Sequence, residues 1–139
     1  MKLEIFDHSK GSYGSRVQHR AVSVNRRNAK ISFSRQATEE LGLSTEYAAT
    51  FAKDSDSKND WYVTFRKADP SGLPIRSHHG SGNAAGYSTL GITCRSLSSA
   101  ILDSLKAKSG ATLLIAQKPE IINGEQWYQL ITAKPLRLN

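Results

Sequence analysis

The chain has 139 residues, one cysteine and a net charge of +7. That length suits one domain with its own core, and a lone cysteine excludes a disulfide framework. The longest apolar run, Leu113-Leu114-Ile115-Ala116, is far too short to span a bilayer.

Residues 1–6 alternate like a strand and lack the apolar run of a secretory leader, which points to the cytoplasm. Residues 9–15 read as a flexible loop. Next comes a basic stretch, Arg16, His19, Arg20, Arg26, Arg27, Lys30 and Arg35, with no acid between Asp7 and Glu39 and with the strand residues Val22 and Val24 interleaved. Residues 25–28 look like a turn before an alternating strand over residues 31–34. Ala37 and Leu41 then share one helical face, and Gly42 supplies the left-handed residue that stops a helix. A strand over residues 47–53, a polar turn over 54–60 and a strand opening on Trp61-Tyr62 follow. Residues 69–86, with Pro70, Pro74 and the run from His78 to Gly86, read as a linker in which residues 73–76 could add an edge strand.

Beyond the linker, residues 90–93 alternate again. Leu97, Ala100, Ile101 and Leu105 form a helical stripe with Ser96 as its N-cap. A strand over 111–117, a turn over 119–125 marked by Asn123-Gly124, and a strand carrying Trp127-Tyr128 complete the chain. Both tryptophans therefore close the same series, strand-helix-strand-strand, written twice. Phe33 matches Ile92, Phe51 matches Ile115, and Trp61 matches Trp127, the spacing widening as a longer second helix and turn require. The expected fold is α+β, a pseudo-symmetric duplication with repeats over residues 30–66 and 89–132, forming a small barrel or twisted sheet with two short helices. Both tryptophans are expected to plug the core at equivalent positions.

Motifs for catalysis dissolve when each is read against its chemistry. Asp54-x-Asp56 begins like a calcium loop, but Asn59 stands where glycine is required and Phe65 where glutamate is required. Gly80-x-Gly82-x-x-x-Gly86 leads into a strand, so no helix N-terminus would meet a phosphate. His78 and His79 diverge on an extended segment, with Cys94 the only soft partner, and Cys94 itself reads as a small core residue. No enzyme, metal or cofactor is expected.

The segment over residues 30–43, followed by a strand, a polar hairpin and another strand, resembles the swapped-hairpin domain of AbrB-type transcription regulators. Residues 88–132 resemble a second copy, as in the tandem MraZ arrangement. In this chain Ser34 stands where the family usually has proline, and Thr45-Glu46 where it has Gly-Asp. The resemblance implies DNA binding through basic residues beside the paired strands, here Arg26, Arg27, Arg35 and Arg95. A different parse places strands near 47–53, 60–67, 73–77 and 87–93 before the second helix, the order of PUR and Whirly-like single-strand binders. Tyr62, Arg66, Arg76 and Tyr87 would then line the sheet.

With a pI near 9.7, the chain is expected to bind nucleic acid through Arg16, Arg20, Arg26, Arg27, Arg35, Arg76 and Arg95. Lys106 and Lys108, distant in sequence, would lie off that face. The rival reading is a non-enzymatic protein-interaction or structural module that oligomerises through exposed strand edges.

Overall fold

In the computed structural model, residues 19–56, 60–79 and 88–139 are described. The N-terminal alternating strand, Arg16, the glycine-rich run from Gly80 and Tyr87 lie outside them. The elements in order are β1 (Ala21–Asn25), β2 (Lys30–Phe33), α1 (Arg35–Leu41), β3 (Tyr47–Lys53), β4 (Trp61–Lys67), β5 (Leu73–Pro74), β6 (Arg76–His79), β7 (Ser88–Thr93), α2 (Arg95–Ser104), β8 (Gly110–Ile115), β9 (Glu120–Ile122), β10 (Glu125–Ile131) and β11 (Arg137–Leu138).

Alternation in the sequence becomes two-sidedness in the sheet. Val22, Val24, Ile31, Phe33, Val63, Ile92, Leu113 and Leu130 point inward to one core, while the residues between them face out. The strands pair antiparallel in the order β5-β3-β4-β10-β8-β1-β2-β7-β6, with β9 beside β10 and β11 beside β8. Pro74 pairs with Ala48 of β3, and two residues later Arg76 pairs with Gly91 of β7. One segment thus borders both ends of the order and bends the sheet into a nearly closed barrel. Residues 73–79 of the stretch read as a linker are therefore part of the wall, anchored by Ile75 at 1% exposure.

The helices cover the barrel. Ser34 caps α1 by accepting from the Ala37 amide at 3.1 Å, and Gly42 ends it at φ 64°. The same hydroxyl accepts from the Ala21 amide and donates to the His19 carbonyl, which ties the cap to β1. The N-cap of α2 is Cys94 rather than Ser96. The helix begins earlier because the Ser98 hydroxyl donates to the Cys94 carbonyl, folding Ser96 into the first turn. Cys94 is half-buried at that boundary, and its thiol is pushed below the ordinary range, chiefly by the Ser96 hydroxyl.

The two tryptophans part company. Leu130 stands opposite Trp61, and Tyr128 opposite Val63, so Tyr128 and Leu130 share the inner face with Trp61. Trp127, one residue removed, turns outward under the Arg66 guanidinium at 6.0 Å. Trp61 is 5% exposed and its indole N–H donates to the Ser104 hydroxyl at 2.8 Å. The expectation of equivalent core tryptophans is thus corrected: an odd shift in register exchanges the faces. The turn read over residues 119–125 is tighter than expected, with Asn123 (φ 52°) and Gly124 (φ 81°) alone reversing the chain between β9 and β10.

The single-strand-binder parse needs β4 beside β5. Instead β4 lies between β3 and β10.

Candidate nucleic-acid interface

The registers assemble one row across six strands. Arg137 stands opposite Thr112, Thr112 opposite Ser23, Ser23 opposite Ser32, Ser32 opposite Gly91, and Gly91 opposite Arg76. Directly opposed residues share a face, and their neighbours Val22, Val24 and Ile31 point inward, so this row lies outside. At about 4.8 Å per strand it runs roughly 24 Å along the curved wall. Its middle is small and hydroxylic, with the Ser23 and Thr112 oxygens 3.1 Å apart, and an arginine stands at each end.

Gly91 keeps the row low. A Cβ there would stand 2.5 Å from the Ile31 carbonyl oxygen and 3.1 Å from the His78 ring. His78 lies against it, and its Nδ1 is buried without a partner among the described residues. Burial first, and the Lys30 charge second, depress its basicity.

A parallel row runs Gly110, Asn25, Lys30, Thr93 and leads to the β1–β2 turn, where the basic residues gather. Arg26 donates to the Lys108 and Ala107 carbonyls at 2.8 and 3.0 Å and pairs with Asp103 at 2.8 Å. It clamps the turn to the end of α2. Arg95 at the other end of α2 donates to the Arg26 carbonyl. Lys106 and Lys108 therefore flank the arginine corner instead of lying away from it, since hydrogen bonds bridge the long sequence gap.

The arginines named from sequence separate by environment. Arg27 and Arg76 are exposed and have no partner among the described residues. Arg35 is 82% exposed and reaches back to Glu39 at 3.2 Å. Arg20 is buried at 7% exposure, under the Ala116 carbonyl and over the Tyr128 ring, so its charge serves the barrel interior and not an external phosphate. Sequence missed Ser23, Ser32, Gly91, Thr112 and Arg137, because only the pairing brings them into line.

Charge divides the barrel in two. No acidic residue occurs in β1, β2, β6, β7, β8 or β11; on the two helices that pack on β1, Asp103 is bonded to Arg26, and Glu39 and Glu40 pair with Arg35 and Arg20. The opposite half, around β3, β4, β9 and β10, holds Asp54, Asp60, Asp69, Glu120 and Glu125. There the Tyr62 hydroxyl is pushed up by burial first and then by Glu120, Asp60 and Asp54. That negative surround disfavours phosphates beside Tyr62, which the single-strand-binder parse sets on the sheet.

On that half Arg66 grips Glu125 at 2.5 and 2.7 Å and Asp69 at 3.1 Å. The Arg66 hydrogen bond holds the Glu125 carboxyl below its ordinary range, while Asp69 is lowered first by Ser71 and then by Arg66. Depressed carboxylates stabilise the fold in full above their unfolded values, and that contribution fades as pH falls below about 4.5. The melting-temperature advantage of the wild type over Arg66→Gln is therefore expected to shrink between about pH 6 and pH 3. A constant gap across that range would contradict the pairing.

Among the described residues no three His, Cys, Asp or Glu side chains come together, and no helix is long and apolar enough to cross a membrane. Comparison with family models, curated proteins and solved structures finds no match for this chain.

Proposed function

We propose that the protein is a non-enzymatic, cytoplasmic nucleic-acid-binding module that meets its ligand with the acid-free half of the barrel. The observation that carries this reading is the charge segregation. Arg27, Arg76, Arg95, Lys30, Lys106 and Lys108 belong to the half whose wall has no carboxylate, while most of the acids gather on the other. A low, hydroxyl-lined row flanked by arginines can approach a phosphate backbone closely, and cations beside it gain affinity by releasing counterions.

The pairing pattern also supports an internal duplication. Exchanging β1, β2, α1, β3 and β4 for the bent β5–β6 segment, β7, α2, β8 and β10 leaves the main strand neighbours unchanged, with β2–β7 and β4–β10 at the centre of the exchange. This is the topology expected if two swapped-hairpin units of the AbrB type pack as a pseudo-dimer, and it places Arg35 and Arg95 at matching helix starts.

The test is binding to labelled single- and double-stranded DNA over a salt series. Affinity should fall steeply, with log K against log salt sloping by about −0.9 per contacted phosphate on duplex and about −0.7 on single strands. A salt-independent interaction, or none at low salt, returns the chain to the protein-interaction class. One observation favours that second reading: Ile121 is 66% exposed on β9, a short strand paired on one side only among the described residues. A second copy could add to that edge.

A further inference from the structure

Among the described residues, the large hydrophobic side chains left exposed are Ile121, Ile122, Leu136 and Leu138. All four lie on or beside two short strands, β9 and β11. Each strand is paired on one side only among the described residues, β9 with β10 and β11 with β8. A free strand edge that carries apolar side chains is a template for another strand.

Hydrogen-bond phase decides which residue each edge offers. The two-residue turn at Asn123-Gly124 makes Ile122 and Glu125 a bonded pair, so the N–H and C=O of Ile121 point away from β10. At the other edge the Asn139 amide donates to the Gly110 carbonyl at 2.8 Å, and the Asn139 carbonyl accepts from the Gly110 amide at 3.4 Å. Bonding alternates along a strand, so the N–H and C=O of Leu138 point away from β8. Each open backbone position thus belongs to an exposed apolar residue, Ile121 at 66% and Leu138 at 50%. The charges beside them are opposite, Glu120 on β9 and Arg137 on β11. The two edges cannot meet within one molecule, because β9 adjoins β10 and β11 adjoins β8 at opposite ends of the β8–β10 pair.

We propose that copies of this chain join head to tail, the β9 edge of one adding to the β11 edge of the next, with Ile121 opposite Leu138. In antiparallel register these two residues exchange both backbone hydrogen bonds and set their side chains together, while Glu120 lies diagonal to Arg137 on the other face, within reach of a long side chain. The partner is a second copy because one chain carries both sides of the contact, alike in apolarity and opposite in charge. Each junction leaves a β9 edge free at one end and a β11 edge at the other, so the contact is heterologous and repeats. Such short strands make a small interface, and assembly therefore depends on concentration. Apart from Arg137, the junction uses none of the cations assigned to polyanion binding, so either activity can exist without the other.

Sedimentation of the full chain over a concentration series tests the junction. The average mass of the wild type should climb past that of a dimer as concentration rises into the millimolar range. Ile121→Lys and Leu138→Lys each set a charge on one edge at an exposed position, and each should raise the dissociation constant at least about tenfold. Mixed in equal amounts, the two variants should form a dimer and nothing larger, since the first keeps its β11 edge and the second its β9 edge. NMR of the wild type reads the same contact without substitution: the Ile121 and Leu138 amides should shift together as concentration rises. A wild type that stays monomeric, as it would if another part of the same chain covered either edge, overturns the junction. So does self-association that survives in Leu138→Lys, which would join β9 to β9, or a mixture no larger than its components.

Discussion

Trp61→Ala is expected to destabilise the protein by about 3–5 kcal/mol, and Trp127→Ala by clearly less. Trp61 is 5% exposed, packs in the core and donates its indole N–H to Ser104, so truncation leaves a cavity and removes a buried hydrogen bond. Trp127 stands on the other side of the sheet, half-buried under Arg66. Its ring exchanges part of its packing for water when removed, so the cavity term is small. Chemical denaturation of both variants measures the difference. Equal losses would mean that the two rings occupy equivalent environments after all, and the register between β4 and β10 would have to shift by one residue.

Gly91→Ala is the second substitution with a large expected effect, although it adds a single methyl group. The new Cβ would lie 2.5 Å from the Ile31 carbonyl oxygen. That oxygen belongs to a strand paired on both sides, β2 between β1 and β7, so it cannot move away without distorting two ladders. Overpacking of this kind costs about 1–3 kcal/mol. The His78 ring, 3.1 Å away, would also be displaced from its place beside the row. Gly42→Ala offers a contrast, since its Cβ meets nothing within 4 Å and only the φ of 64° resists it. A denaturation midpoint for Gly91→Ala equal to wild type would contradict the close approach.

Much of this architecture was legible in the residues. Val22 and Val24, Ile31 and Phe33, and Leu90 and Ile92 alternate with polar neighbours, so strand existence and inner faces follow directly. Gly42 marked the end of α1, and Asn123-Gly124 the last hairpin. What the sequence could not supply was register. Two Trp-Tyr pairs look alike in one dimension, yet one shift of pairing sends Trp61 inward and Trp127 outward. The arginines were equally ambiguous. Arg20, Arg26 and Arg27 sit within eight residues of one another, and only the packing of β1 against α1 and the end of α2 makes the first buried, the second a clamp and the third exposed. Residues 73–79 carry two prolines' worth of linker signals nearby, at Pro70 and Pro74, but a non-hydrogen-bonded proline suits a strand that bends between two partners. The row from Arg137 to Arg76 draws one residue from each of six strands and has no linear signature.

The proposed function rests on where the cations stand, not on how many there are. The most direct measurement compares two double variants of equal charge change in duplex binding over a salt series. One is Arg27→Ala with Arg76→Ala, two exposed arginines without partners among the described residues on the acid-free half. The other is Lys53→Ala with Lys67→Ala, exposed lysines of the acidic half that lie over the Trp61 and Tyr47 rings. The first pair should flatten the slope of log K against log salt by about two units, one per phosphate contact, with little change in thermal stability. The second pair should leave slope and affinity as in the wild type. Equal losses from both pairs would contradict the account, because the attraction would then belong to the net charge of the molecule and to no particular face.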